Sequence, residues 1–318
     1  MKKMNIKYQI PVLVFILLLG AFSGFAQVSA KSSVTGSYIY TLSTFTGPVP
    51  YSWPRVAAVK ELNEIYVLFQ NNVSVFNEFG MEIYRFGDDL NLGQIVDVAV
   101  DQKGGILLLA YKESKGGITR CDYRGGVKSE IELKNLPPEF SGFAPNRMVY
   151  HNGNLYLVSL SGLNIVIVDQ EGNFKKGYDL FTLLELEEKD RGNVEVIGFS
   201  VDKEGNILMT IPVLFRACVL SPDGKMNWFG KPGSVPGRFN VVAGIARDSK
   251  GNYVIVDKLK CAVMVFDKNF DFLTQFSSRG YRPGYLIAPD DIAIDNDNRI
   301  YVTQVAKRGV SVFRLIYN

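Results

Sequence analysis

From Tyr38 to the end of the chain, apolar and polar positions alternate in short runs rich in Val, Ile, Tyr and Phe, separated by stretches holding Gly, Asn and Asp. That rhythm predicts β-strands joined by hairpins. One pattern recurs: an apolar strand, an Asp-centred turn and a second apolar strand. Its clearest copies are Gly244-Ile-Ala-Arg-Asp248-Ser-Lys-Gly-Asn-Tyr-Val-Ile-Val256 and Asp291-Ile-Ala-Ile-Asp295-Asn-Asp-Asn-Arg-Ile-Tyr-Val302. Asp97–Leu109 and Gly198–Met209 repeat it, and Val56–Val67 and Arg147–Leu157 are degenerate copies. The turn positions Lys60, Asp101, Tyr150, Asp202, Asp248 and Asp295 follow one another at 41, 49, 52, 46 and 47 residues. The nearest approach to a helical period, Leu180 to Lys189, predicts a helical turn in a loop between repeats.

Third strands are expected at Val73–Phe76, Ile165–Val168, Ala217–Leu220 and Ala262–Phe266, and fourth strands at Glu82–Phe86 and Phe272–Phe276. Four antiparallel strands in ~47 residues is the arithmetic of a β-propeller blade. The sixth unit ends three strands in, at Val310–Leu315, while Tyr38–Leu42 is an orphan strand with the pattern of a fourth. Pairing the two closes the ring and removes the open edge of a partly built blade. The expectation is an all-β, six-bladed β-propeller formed by residues 31–318 as a single domain, with the N-terminal strand completing the last blade.

Phe229-Gly-Lys-Pro-Gly-Ser-Val-Pro-Gly237-Arg-Phe239 leads into Gly244-Ile-Ala, and Arg279-Gly-Tyr-Arg-Pro-Gly284 leads into Pro289–Asp295. These segments resemble NHL repeats, and Asp257 matches the strand-end Asp of that family. The resemblance covers residues 229–315. The strand-end places of the other blades hold Phe69, Ala110, Ser159, Ile211 and Gln304; these departures from the family pattern leave the fold intact and bear on its surface chemistry. The resemblance implies a propeller that acts as an interaction platform. Some eukaryotic members bind RNA through a basic face.

Residues 1–30 read as a secretory signal. Lys2, Lys3 and Lys7 precede the apolar run Ile10–Leu19, and small residues end in Val28-Ser29-Ala30. The run is shorter than the ~20 residues a membrane-spanning helix needs. The reading is therefore export to the periplasm or the extracellular space with no anchor left after cleavage. Those three lysines also account for the whole formal charge of +3, from 35 basic and 32 acidic residues. The mature chain is then neutral, which argues against a nucleic-acid partner and against a globally basic binder. Cys121, Cys218 and Cys261 are too few and too scattered for a disulfide scaffold. They read as buried thiols, with a Cys218–Cys261 bridge between neighbouring repeats as the alternative.

In a propeller, the loops between second and third strands share a face with the connections between blades. Those loops hold Lys112, Glu113, Lys115, Arg216, Lys258, Lys260, Lys307 and Arg308. The opposite hairpins hold acids, among them Glu61, Asp101, Asp169, Asp202, Asp248, Asp267 and Asp295. A basic rim is thus expected to attract an anionic partner, with Arg216, Lys258, Lys260, Lys307, Arg308, Arg55 and Arg147 as candidate contacts. The inter-blade segments place Arg55, Asp97, Asn146, Arg147, Glu195, Asp290 and Asp291 at a channel mouth on that face. Asp97, Glu195, Asp290 and Asp291 could there hold Ca²⁺ as in propeller lactonases.

The turn aspartates fit a hairpin role better, since Asp295-Asn-Asp297-Asn lacks the glycine and distal Glu of an EF-hand. His151, the only histidine, is expected on the face away from the channel mouth. One histidine excludes a three-His zinc site. It also excludes the histidine pairs on which streptogramin-type and amidating lyases rely. The reading is a non-catalytic platform, without cofactor, for a protein, a peptide or an anionic envelope polymer. The alternative is a divalent-cation-dependent hydrolase or lactonase.

Overall fold

A computed structural model describes residues 33–44, 47–49, 51, 54–190 and 192–318. The expected signal segment, residues 1–30, lies outside the described residues. Six antiparallel four-stranded sheets form the blades of a propeller. Blade 1 comprises Arg55–Val59, Glu64–Phe69, Asn72–Phe76 and Glu82–Phe86. Blade 2 comprises Gln94–Val100, Ile106–Lys112, Lys115–Cys121 and Val127–Ile131, and blade 3 Arg147–His151, Asn154–Ser159, Asn164–Asp169 and Phe174–Asp179. Blade 4 comprises Phe199–Val201, Ile207–Ile211, Arg216–Leu220 and Met226–Phe229, and blade 5 Val242–Arg247, Tyr253–Asp257, Ala262–Phe266 and Phe272–Phe276. Blade 6 takes Ile292–Ile294, Arg299–Thr303 and Val310–Tyr317 from the end of the chain and Val34–Thr41 from its beginning.

The closing strand is longer than the sequence pattern suggests. It pairs antiparallel with the last strand from Val34 opposite Tyr317 to Thr41 opposite Ser311. The innermost strands touch in ring order, and blade 6 touches blade 1. Leu180–Leu183 is a single helical turn capped by Asp179, whose carboxylate accepts from the Phe181 amide.

Second and third strands are buried along nearly their whole length, which is why they read as continuous apolar runs instead of strict alternation. Six apolar clusters fill the six interfaces between neighbouring blades. Blades 5 and 6 join through residues such as Val254, Val256, Ile292 and Ile300. Blades 6 and 1 join through Leu42, Ile65, Val67, Tyr301 and Val312.

The lower hairpins behave as the sequence suggests. Oδ1 of Asp101, Asp122, Asp169, Asp202, Asp248, Asp267 and Asp295 accepts the amides two and four residues ahead. Each of these carboxylates organises its own turn.

Cys121, Cys218 and Cys261 are all buried and free. The thiol reading holds and the Cys218–Cys261 bridge is not formed. Burial pushes the Cys121 thiol up to about 11 and the Cys218 thiol up to about 12. In the folded protein we expect no reaction with a thiol-specific chromogen, and three equivalents after denaturation. Titration before and after guanidinium addition checks this, and fast labelling of the native chain would contradict it.

Candidate functional site

Connections between second and third strands, and between blades, share the upper face; the remaining hairpins form the lower one. Contacts between the two kinds of upper connection fix that assignment. Lys260 Nζ donates to Ser234 O at 3.1 Å and Val235 O at 2.7 Å, and Arg308 NH1 donates to Tyr281 O at 3.0 Å.

Charge on the upper face is segregated. The connections of blades 4 to 6 carry Arg216, Lys231, Arg238, Lys258, Lys260, Arg279, Arg282, Lys307 and Arg308. The acids among them, Asp257, Asp290 and Asp291, serve the structure. Asp257 is fully buried and accepts the amides of Asn240 and Val241 on Oδ2 and those of Leu259 and Lys260 on Oδ1. Asp290 accepts an ion pair from Lys258 at 2.5 Å and another from Arg55 at 3.9 Å. The connections of blades 1 to 3, including the long link into blade 4, carry Asp88, Asp89, Glu113, Glu132, Glu139, Asp179, Glu185, Glu187, Glu188, Asp190 and Glu195. Lys112, Lys115, Lys134 and Lys189 are the bases described among them. The expected basic rim is therefore a basic half facing an acidic half.

The candidate contacts separate by environment. Arg216 stacks on Trp228 at 3.9 Å, and Arg308 lies 5.6 Å from the Tyr281 ring. Lys258 and Lys260 are half-buried and tied down as described, and burial lowers the pKa of Lys260 against the opposing pull of Asp257. Lys307 is exposed. The sequence reading passed over Lys231, Arg238, Arg279 and Arg282, all exposed. They stand in the Gly/Pro-rich inter-blade segments that carry the repeat resemblance, and a charge count extended to those segments would have found them. Val213, Trp228, Val235, Leu259, Tyr281 and Tyr285 are exposed on the same blades.

Arg147 and Arg55 lie deeper than a rim. Arg147 is buried in blade 3 and pairs with Asp291 of blade 6 at 3.2 Å. Those blades oppose one another in a ring of six, so this pair crosses the axis. Asp97 Oδ2 accepts the Met148 amide at 2.7 Å, tying blade 2 to blade 3. Asp291 Oδ2 accepts the Val56 amide at 3.4 Å, tying blade 6 to blade 1.

Burial raises the pKa of Asp97, and the positive charges of Arg147 and Arg55 only partly offset it. Burial also works against the Arg147 cation, but the carboxylates of Asp291, Asp97 and Asp290 outweigh it and hold its pKa above the ordinary value. Desolvation, helped by Arg147, lowers that of Arg55. Three cations, Arg55, Arg147 and Lys258, thus face three carboxylates in one ionic layer.

This layer bears on the calcium alternative. Asp97, Asp290 and Asp291 are engaged by arginine, lysine and backbone amides. Glu195 is exposed and borders a separate upper cavity of about 490 Å³ with Arg55, Gln70, Gln94 and Asn146. Among the described residues no three or more His, Cys, Asp or Glu side chains gather to hold a metal ion. Asp97, Asp290 and Asp291 are thus held by partners within the protein, and Glu195 stands on a different cavity.

A second cavity lies along the axis. A cavity of about 590 Å³ runs along the innermost strands from Asp97, Arg147 and Asp291 to Glu61, His151, Glu204 and Asn296. His151 lies at its lower end, and Asp97, Arg147 and Asp291 of the ionic layer lie at its upper end. Burial lowers the His151 pKa, and the negative charges of Asp202 and Glu61 do not make this up. With one histidine in the chain, its proton resonances should titrate below the ordinary ~6.5. An NMR titration checks it; a midpoint above 6.5 would show that the carboxylates prevail.

The family model DUF5128, described as a 6-bladed beta-propeller, matches residues 243–317. No curated protein matches the chain. Among solved structures, a protein of unknown function from Bacteroides thetaiotaomicron superposes with a TM-score of 0.62 at 15% identity, covering 89% of this chain and 77% of its own. An auxiliary nutrient binding protein from Bacteroides ovatus gives 0.59 at 13% identity, covering 90% and 78%. Virginiamycin B lyase from Staphylococcus aureus gives 0.57 at 10% identity, covering 89% and 99%. At these identities the likeness is one of fold, and the fold serves both catalysts and binders.

Proposed function

We propose that this protein is a non-catalytic binding platform whose basic half-face, on blades 4 to 6, holds an acidic segment of a protein partner. The observation that carries the reading is the gathering of nine bases there, while the nearby acids Asp257, Asp290 and Asp291 are taken up internally. A protein surface suits the site better than a bare polyanion because Val213, Trp228, Val235, Leu259, Tyr281 and Tyr285 stand exposed among the cations. Individual rim charges contribute only about 0.2–1 kcal/mol each. Their joint effect is on encounter rate and orientation.

The resemblance of residues 229–315 to NHL repeats and the signal-like residues 1–30 favour an exported member of that interaction family, acting in the periplasm or outside the cell. The hydrolase alternative finds less support, since Asp97, Asp290 and Asp291 are spent on the ionic layer. A neutral mature chain gives no reason to expect a nucleic-acid partner.

The test is fluorescence anisotropy with a labelled peptide alternating Glu with Leu and Tyr. Its Gln-substituted counterpart and a sulfated polysaccharide serve as comparison probes. The Glu peptide is expected to bind the wild type at least tenfold more tightly than it binds a Lys231→Glu/Arg238→Glu/Arg279→Glu/Arg282→Glu variant. Equal affinity of both proteins removes the reading, and preference for the polysaccharide replaces the protein partner with a polymer.

A further inference from the structure

The upper face is charged in a way that complements itself. Its basic half carries Lys231, Arg238, Arg279 and Arg282 among exposed apolar residues such as Val235, Leu259 and Tyr281. Its acidic half carries Asp88, Asp89, Glu185, Glu187 and Glu195, all exposed, beside the half-exposed Leu90, Leu92, Leu183 and Leu186. Each half therefore carries a net charge of one sign beside apolar side chains, the acidic half still net negative after Lys112, Lys115, Lys134 and Lys189 are counted, and the net signs are opposite.

A two-fold axis lying in the face, along the boundary between the halves, turns one molecule over onto another. The basic half of each then covers the acidic half of the other. That is an isologous arrangement in which every attractive pairing occurs twice, and it leaves no unmatched charged half. A face with a single sign of charge would repel its own copy in the same geometry.

We infer that the upper face docks on the upper face of a second copy of this chain, basic half against acidic half. The inference rests on the reading that the basic half takes an acidic segment, and it names that segment's source as residues 87–93, 184–190 and 192–195 of the partner copy.

Sedimentation velocity of the full chain tests it. At about 10 mM salt, where the screening length is ~30 Å, the wild type is expected to be a dimer at tens of micromolar. At about 1 M, where that length falls to ~3 Å, it is expected to be a monomer. The Lys231→Glu/Arg238→Glu/Arg279→Glu/Arg282→Glu variant and an Asp88→Lys/Asp89→Lys/Glu185→Lys/Glu195→Lys variant should each be monomeric alone. Mixed in equal amounts, they should form a heterodimer, which also shows that both are folded.

A wild type that stays monomeric at low salt overturns the inference, as does a dimer that survives either charge reversal. A mixture that remains monomeric while each variant keeps its native circular dichroism overturns it too. If the wild type is monomeric yet still binds the acidic peptide, self-docking fails and the binding platform stands; if it does neither, both fall.

Discussion

A chain shortened to begin at Ser43 should lose its cooperative fold. The strand removed, Val34–Thr41, is the outermost strand of blade 6 and pairs with Val310–Tyr317 from the other end of the sequence. Without it, Val310–Tyr317 becomes an open edge, and the apolar contacts of Val34 and Tyr38 with the blade 5 and 6 core are lost. Leu42, fully buried between blades 6 and 1, goes with them. Deleting Leu42 alone would cost about 2–5 kcal/mol on the usual scale for buried leucine. That is a large share of the ~5–15 kcal/mol that holds a typical domain together. The expected result is a species that binds a hydrophobic dye, with no sharp thermal transition, to which a synthetic peptide of residues 33–44 restores one. A shortened chain melting within a few degrees of the full protein would mean that the ring does not depend on this closure.

The Arg147→Met substitution should cost about 3–5 kcal/mol at neutral pH, the range found when one partner of a buried ion pair is removed. It leaves Asp291 without the cation that reaches it from the opposite blade and Asp97 without its strongest electrostatic support. Burial already raises the Asp97 pKa in the intact protein, and loss of the arginine raises it further. Between the unfolded value near ~3.9 and that raised value, the folded variant binds more protons than the unfolded chain. Its stability therefore falls as pH rises through that window. Urea unfolding at about pH 5 and pH 7 should show a smaller loss at the lower pH. An added Asp291→Asn change should recover a substantial part of it. An equal loss at both pH values would contradict the account of the ionic layer.

The fold was readable because its signals are local. Asp101, Asp202, Asp248 and Asp295 sit where a carboxylate can accept amides two and four residues ahead, so each hairpin announces itself within five residues. The orphan strand near Tyr38 was legible by its lack of a neighbour in sequence. The ionic layer was not, because Arg147, Asp97, Asp291 and Arg55 come from blades 3, 2, 6 and 1. No spacing along the chain records that blades 3 and 6 face one another across the axis. For the same reason Arg147 and Arg55 read as rim residues. The basic half was partly legible. Counting only the loops within blades found Arg216, Lys258, Lys260, Lys307 and Arg308, three of which also hold neighbouring loops in place through Asp290, Ser234 and Tyr281. The acidic half lies almost wholly in inter-blade connections, where no repeat draws attention to it.

The central claim is that the upper face binds through its basic half. Its most direct test is the affinity of the labelled acidic peptide for the wild-type protein as a function of salt. The account predicts a dissociation constant that weakens steeply as salt rises from about 10 mM to 1 M. It also predicts competition by unlabelled peptide and loss of the salt-sensitive part in the four-site basic variant. A dissociation constant indifferent to salt, or a variant that binds as the wild type does, would contradict it.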